Sequence, residues 1–129
     1  DLERFIIHRG ESAFVILNLY PYNNGHMLVI PNQHISTLDE LDKTTQHELM
    51  DLVVKAQHVL FKAYNPQGIN VGLNMGSAAG AGIDQHLHFH VLPRWSADSN
   101  FMTTVGRTRV IPEALEESWQ KIRDQWNKS

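Results

Sequence analysis

The sequence predicts an α+β fold: a mostly antiparallel sheet of about five strands, one long helix and a C-terminal helix. Three observations carry that expectation. Short segments rich in β-branched and aromatic residues are separated by turn clusters. A long central stretch repeats apolar residues at helical spacing, and a second such stretch closes the chain.

The elements follow in order. Phe5-Ile6-Ile7 leads through His8 and a turn at Arg9-Gly10-Glu11 into a strand over Ala13-Phe14-Val15-Ile16-Leu17. Pro21-Tyr22-Asn23-Asn24-Gly25 is a turn cluster, because Pro presets φ and Asn-Gly tolerates positive φ. His26 to Ile30 forms the next strand and Pro31 stops it, which is the logic of a hairpin. Thr45 and Glu48 have the spacing of a capping box, opening a helix whose apolar face is Leu49, Leu52, Val53, Ala56, Leu60 and Ala63. Asn65-Pro66-Gln67-Gly68 ends that helix. Ile69 to Leu73 and Leu87 to Pro93 are further strands, and Pro112 opens a last helix with Leu115, Trp119, Ile122 and Trp126 on one face.

Composition narrows the function. A chain of 129 residues suits one domain spanning 1–129 with a real core. Charged residues make up 19% and no five like charges run together, so a disordered or acidic solvating chain is not expected. The formal charge of −3 supplies no field for a polyanion, so no nucleic-acid partner is expected, although a local patch can still hold a small anion. Apolar runs fall far short of about 18 residues, so no membrane partner is expected. The absence of cysteine excludes disulfides, thiolate zinc sites and a cysteine nucleophile, and agrees with a cytoplasmic location.

The chemistry concentrates at His86-Leu87-His88-Phe89-His90-Val91-Leu92. In a strand the side chains alternate, so His86, His88 and His90 share one face while Leu87, Phe89 and Val91 share the other. Incidental surface histidines do not fall into such strict alternation. Imidazole serves as nucleophile, as acid or base near neutral pH, and as metal ligand. On spacing alone, a zinc site and a nucleophile are close to even, since His-x-His on a strand can grip one ion. A catalytic zinc wants further ligands, and the nearby carboxylates Asp84 and Asp98 are out of register with the histidine face. The preceding loop, Asn74-Met75-Gly76-Ser77-Ala78-Ala79-Gly80-Ala81-Gly82, favours the nucleophile: backbone N–H groups from Gly80 to Ile83 can cradle an anion, and Gly80 and Gly82 allow close approach. Arg94 is the nearest strong cation, on the face of His88 and His90 if the strand continues; a surface pair with Asp98 is its alternative role.

These residues resemble the histidine triad family of nucleotide transferases and hydrolases, whose signature alternates three histidines with apolar residues from His86 to Leu92. Asn18-Leu19-Tyr20-Pro21 and Gly25-His26-Met27-Leu28-Val29-Ile30-Pro31 resemble the family's upstream strands, and Asn74-Met75-Gly76-Ser77 resembles the loop before the triad, with one extra residue. Asn18 to Pro31, Ala78-Ala79-Gly80, Pro93-Arg94-Trp95, Asn100-Phe101 and Val110-Ile111-Pro112 resemble the bacterial diadenosine-tetraphosphate phosphorylase branch.

The resemblance implies a HIT-like fold, and His88 as the nucleophile that attacks an α-phosphorus and forms a covalent nucleotidyl-histidine. It implies phosphate contacts by His86, His90 and, from the neighbouring strand, His26, with a satisfied core histidine as the alternative role of His26. It further implies that Asn18 meets ribose hydroxyls and that Ile16 and Leu28 wall the base pocket, with ordinary core as their alternative role. Asn74 and Ser77 either reach the phosphates or cap the loop, and Trp95 stacks on a base or on a partner subunit. The expected partners are a dinucleoside polyphosphate, inorganic phosphate as acceptor, and a second copy in a homodimer or larger homo-oligomer. No cofactor and no resident metal are expected, the substrate entering as a divalent-metal complex; some relatives carry a Cys-bearing zinc site, and this chain has no cysteine. His34, His47 and His58 are expected to be structural or solvated, and His8 receives no role. Three function classes stay open: cleavage of dinucleoside polyphosphates by phosphorolysis or hydrolysis, hydrolysis of nucleoside phosphoramidates or other adenylate conjugates, and a nucleotide-binding module without turnover. The intact triad disfavours the last.

Overall fold

The computed structural model describes residues 4–19, 24–81, 86–96 and 113–129. Tyr20, part of the expected turn (Pro21 to Asn23), Gly82, Ile83, Asp84, Asp98, Asn100, Phe101 and the segment Val110 to Pro112 lie outside the described residues.

Strands β1 (Ile6–Arg9), β2 (Ala13–Leu17), β3 (Met27–Pro31), β4 (Gly68–Gly72) and β5 (Phe89–Arg94) form one sheet in the order β1-β2-β3-β5-β4, every pair antiparallel. Alternation divides its residues. Ala13, Val15, Leu17, Met27, Val29 and Val91 are buried, while Phe14, Ile16, Leu28, Ile30, His90, Leu92 and Arg94 are half-buried on the other side. Helix α1 (Lys43–Tyr64) lies over β5, β3 and β2, and buries Leu49, Leu52, Val53, Ala56, Val59 and Leu60. Helix α2 (Leu115–Lys128) packs on α1 and β1 through Ile122 and Trp126. Each such apolar side chain removed from water stabilises the fold by about 1.5–3 kcal/mol. One face of the sheet thus makes the core, and the other carries no helix among the described residues.

The start of α1 differs from the sequence expectation. The helix begins at Lys43, Asp42 is its N-cap, and the Asp42 Oδ1 accepts from the Thr45 N–H at 2.8 Å. An aspartate there meets both the unpaired N–H groups and the positive end of the helix dipole. Glu48 therefore falls beyond the first turn, where N–H groups are already paired. Its carboxylate reaches the β1–β2 turn instead, accepting from the Glu11 N–H at 3.0 Å, the Ser12 N–H at 2.7 Å and the Ser12 hydroxyl at 2.6 Å. At the other end Asn65 takes the left-handed conformation, φ 47°, and its N–H returns to the Phe61 carbonyl.

Two devices aim the β2–β3 hairpin. Gly25 sits at φ 81°, and a Cβ there would stand 3.0 Å from the Tyr64 ring and 3.1 Å from Leu60. The Asn24 side-chain oxygen accepts the Glu113 N–H at 3.0 Å, tying the hairpin to the segment before α2.

Candidate active site

The β2–β3 hairpin sets Asn18 beside His26, because the Asn18 N–H donates to the His26 carbonyl at 2.9 Å and extends the ladder by one step. The β3–β5 pairing then sets Leu28 opposite His90, and the β2–β3 pairing sets Ile16 opposite Leu28. Ile16, Leu28 and His90 form one row across the face opposite the helices. Neither Ile16 nor Leu28 joins the buried core under α1.

The ladder of β5 begins at Phe89, two residues later than the sequence suggests. The segment 86–88 runs beside the loop after β3, with the Leu87 N–H bonded to the Ile35 carbonyl at 2.8 Å. His86 consequently leaves the expected row. Its Nε2–H donates to the Pro31 carbonyl at 2.7 Å, and its ring lies edge-on to His34 at 4.9 Å. His34, assigned no function from the sequence, thus stands against the first triad histidine. No periodicity marks it, because it sits in a turn after β3.

The remaining rings form a continuous hydrogen-bonded row. His88 Nδ1 lies 2.9 Å from the His86 carbonyl, His88 Nε2 lies 3.2 Å from His90 Nε2, His90 Nδ1 lies 2.9 Å from His26 Nε2, and His26 Nδ1 lies 3.2 Å from the Asn18 amide nitrogen. A carbonyl only accepts, so the His88 proton is on Nδ1 and its Nε2 carries a lone pair. His90 must then donate from Nε2 and accept at Nδ1. His26 donates from Nε2, and its own Nδ1 accepts from Asn18. One arrangement of neutral tautomers satisfies every contact.

Burial, and then the charges that His90 and His88 would carry, lower the His26 pKa to about 4. Burial first, and then His88, also lowers that of His90. A depressed folded-state pKa means that the unfolded chain binds the proton more readily. This contribution of His26 to stability is present above its ordinary value of 6.5 and is lost as pH falls towards about 4. The protein should therefore unfold at lower denaturant concentration at pH 5 than at pH 7. His26→Asn should make that acid-side decline shallower, and an unchanged decline would place its cause elsewhere.

Other sequence-selected residues divide. Asn74 packs against Gly80, which sits at φ 98° and would bring a Cβ within 3.4 Å of the Asn74 amide. Ser77 opens a 3-10 turn over Ser77–Ala79. Within this loop the Gly80 N–H already donates to the Ser77 carbonyl at 3.0 Å, and those of Ala79 and Ala81 donate to Gly76. Gly80 thus contributes its backbone angle to the loop, whereas its N–H is engaged internally. Arg94 lies on the His90 side of β5, but four residues on, about 13 Å by strand rise. Its Nη1 donates to the Asn70 side-chain oxygen on β4 at 2.8 Å. The Trp95 ring meets Tyr64 of its own chain edge-on at 6.4 Å.

Glu113 carried no signal in the sequence, yet it braces the site from behind. It lines a small cavity with Asn18, Asn24 and His26. It accepts from the Tyr64 hydroxyl at 2.8 Å and the Ser118 hydroxyl at 2.7 Å, and pairs with Lys121. Burial would raise its pKa, but these hydrogen bonds and the Lys121 charge together hold it below the ordinary carboxylate value. A roomier cavity of about 500 Å³ lies at Leu38, His47, Leu49, Met50 and Phe89, by the start of α1 and away from the histidine rings.

Comparison with known proteins shows the family and the fold. The HIT domain family model matches residues 1–97. A Mycobacterium tuberculosis protein named AP-4-A phosphorylase is 41% identical over 126 residues, covering 98% of this chain and 65% of the relative, so the chain spans about two thirds of that relative's length. Among solved structures, a zinc-bound histidine triad family protein from Mycobacterium smegmatis superposes with TM-score 0.77 at 26% identity, over 97% of this chain and 85% of that one. A histidine triad nucleotide-binding protein from Sulfolobus tokodaii gives TM-score 0.77 at 28% identity, over 96% and 84%.

Proposed function

The chain belongs to the HIT domain family, and from that premise we propose that it cleaves dinucleoside polyphosphates of the diadenosine tetraphosphate kind by nucleotidyl transfer to His88. The observation that carries this reading is the bond from His88 Nδ1–H to the His86 carbonyl, which puts the lone pair on Nε2, the nitrogen that would attack phosphorus once His90 Nε2–H turns away. Likeness to a protein named AP-4-A phosphorylase supports the substrate class.

In this reading the base lies on Ile16 and Leu28, and the α-phosphoryl group sits between His88 and His90. His88 Nε2 bonds to the α-phosphorus while the bond to the departing polyphosphate breaks, its electron pair leaving on oxygen. His90 Nε2–H turns from His88 to a phosphoryl oxygen as charge builds there. Splitting one displacement into two lets a second acceptor resolve the nucleotidyl-histidine. Inorganic phosphate is the proposed acceptor, and Arg94, about 13 Å along the strand from His90, would guide it only by leaving Asn70. The ring nitrogens of His26, His88 and His90 bond one another, so the proposed role for a divalent ion is as part of the substrate complex. The homodimer is proposed to form at β4, whose far edge is unpaired among the described strands.

The test uses protein treated with chelator and assayed with magnesium supplied alongside diadenosine tetraphosphate. ADP and ATP formed in proportion to added phosphate are expected. AMP and ATP at the same rate with or without phosphate would make it a hydrolase. Activity restored only by zinc would return the histidines to a metal site.

A further inference from the structure

The row of imidazoles ends on a group that cannot ionise. Asn18 donates its amide N–H to His26 Nδ1 at 3.2 Å, and an amide neither supplies nor accepts a proton in the neutral range. Resting on the reading above, we propose that Asn18 is a specificity-determining residue: it closes the imidazole row to net proton delivery and so restricts cleavage to leaving groups that depart as stable anions.

His90 Nε2–H lies 3.2 Å from His88 Nε2, the nitrogen proposed to attack phosphorus. If His90 gave that proton away, His90 Nδ1 could take the one on His26 Nε2, 2.9 Å distant. His26 would then hold no proton on either nitrogen, since its Nδ1 faces the Asn18 amide. An imidazolate in a half-buried site is prohibitively unstable. Storing a spare proton is also disfavoured, because burial depresses the pKa of both His26 and His90. Glu113 shares the cavity behind His26, but its carboxylate is committed to Tyr64, Ser118 and Lys121.

A departing nucleoside polyphosphate leaves as an anion and needs no proton. An amine leaving a phosphoramidate must gain one as the phosphorus–nitrogen bond breaks. The row can therefore orient His88 and hold phosphoryl oxygens, yet it cannot serve the second kind of substrate. An aspartate at position 18 would change that. Its carboxylate would accept from His26 Nδ1–H and stabilise the imidazolium, whose Nε2 proton could pass to His90 while the His90 Nε2 proton passes to the leaving nitrogen. The row would return to neutrality.

The experiment compares wild type, Asn18→Asp and Asn18→Leu. Single-turnover nucleotidylation is followed with diadenosine tetraphosphate and with adenosine phosphoramidates whose amines span a range of basicity. In wild type the rate should fall steeply as the amine becomes more basic. In Asn18→Asp the dependence should flatten, the phosphoramidate-to-polyphosphate rate ratio rising about 10²-fold, the usual worth of a positioned general acid. Asn18→Leu removes the amide donor without adding an acid, so its dependence should stay steep. Imidazole ¹⁵N spectra of the ligand-free proteins report the tautomers directly. His26 should carry its proton on Nε2 in wild type and gain one on Nδ1 in Asn18→Asp. Equal leaving-group dependence in wild type and Asn18→Asp overturns the proposal, as does flattening in Asn18→Leu or a His26 Nδ1–H in wild type. If no substrate nucleotidylates His88, the proposed function fails on its own, and the ¹⁵N spectra still decide whether Asn18 directs the row.

Discussion

Replacing His88 with glycine should lower turnover of diadenosine tetraphosphate by at least about 10⁴-fold, some 5 kcal/mol of transition-state stabilisation. The side chain removed is the proposed nucleophile, and the neighbouring rings face wrongly to replace it. His90 Nε2 bears a proton directed at His88, and His86 Nε2 is bonded to the Pro31 carbonyl. Binding should change far less. Ile16, Leu28 and Asn18, the residues proposed to bind the nucleoside, stay in place, so the dissociation constant for a non-cleavable nucleotide should remain within about tenfold of wild type. Calorimetric titration and quenched-flow product analysis measure the two quantities separately. A nucleotidylated protein trapped from wild type and missing from the variant would complete the case. Turnover near the wild-type rate in His88→Gly would move the chemistry to another group.

The proposed homodimer should come apart when charge is placed on its contact surface, the β4 edge together with the exposed apolar stripe of α1. The far edge of β4 is unpaired among the described strands, and Val71 on it is 49% exposed. Met50, Val54 and Phe61 recur at helical spacing along α1 and are exposed as well. An exposed edge strand and an apolar helix stripe invite a second copy of the same chain, since two such edges can extend one sheet. Val54→Asp with Phe61→Asp should weaken dimerisation by at least about 10²-fold, given about 1.5–3 kcal/mol for each large apolar side chain buried. Sedimentation velocity across a concentration series reads this directly. Wild-type protein that sediments as a monomer at every concentration would refute the dimer.

Much of the fold was legible in the residues. Period-two segments marked the strands, period-3.6 apolar residues marked α1 and α2, and Asn-Gly marked the β2–β3 turn, because these patterns arise from backbone geometry within a few residues. The alternation of His86, His88 and His90 with apolar residues selected the chemistry for the same reason. Patterns of this kind also misled in places. Thr45 and Glu48 match a capping box, but Asp42 caps the helix and Glu48 holds the β1–β2 turn. His86 keeps the phase of a strand, yet its ring turns to Pro31 because Leu87 is bonded to Ile35.

Residue types and their spacing carried the fold class, the histidine face and the family resemblance, all properties of short segments. Folding alone decided which nitrogen faces which. His26 and His90 meet across 64 residues of sequence, and Glu113 reaches Tyr64 across 49. The direction of a hydrogen bond depends on the group at its far end. The His88 lone pair is defined only once the His86 carbonyl lies beneath Nδ1, and the row ends in an amide only because β2 and β3 pair in one register. No local pattern encodes such a contact, because it exists only after the strands have been brought together.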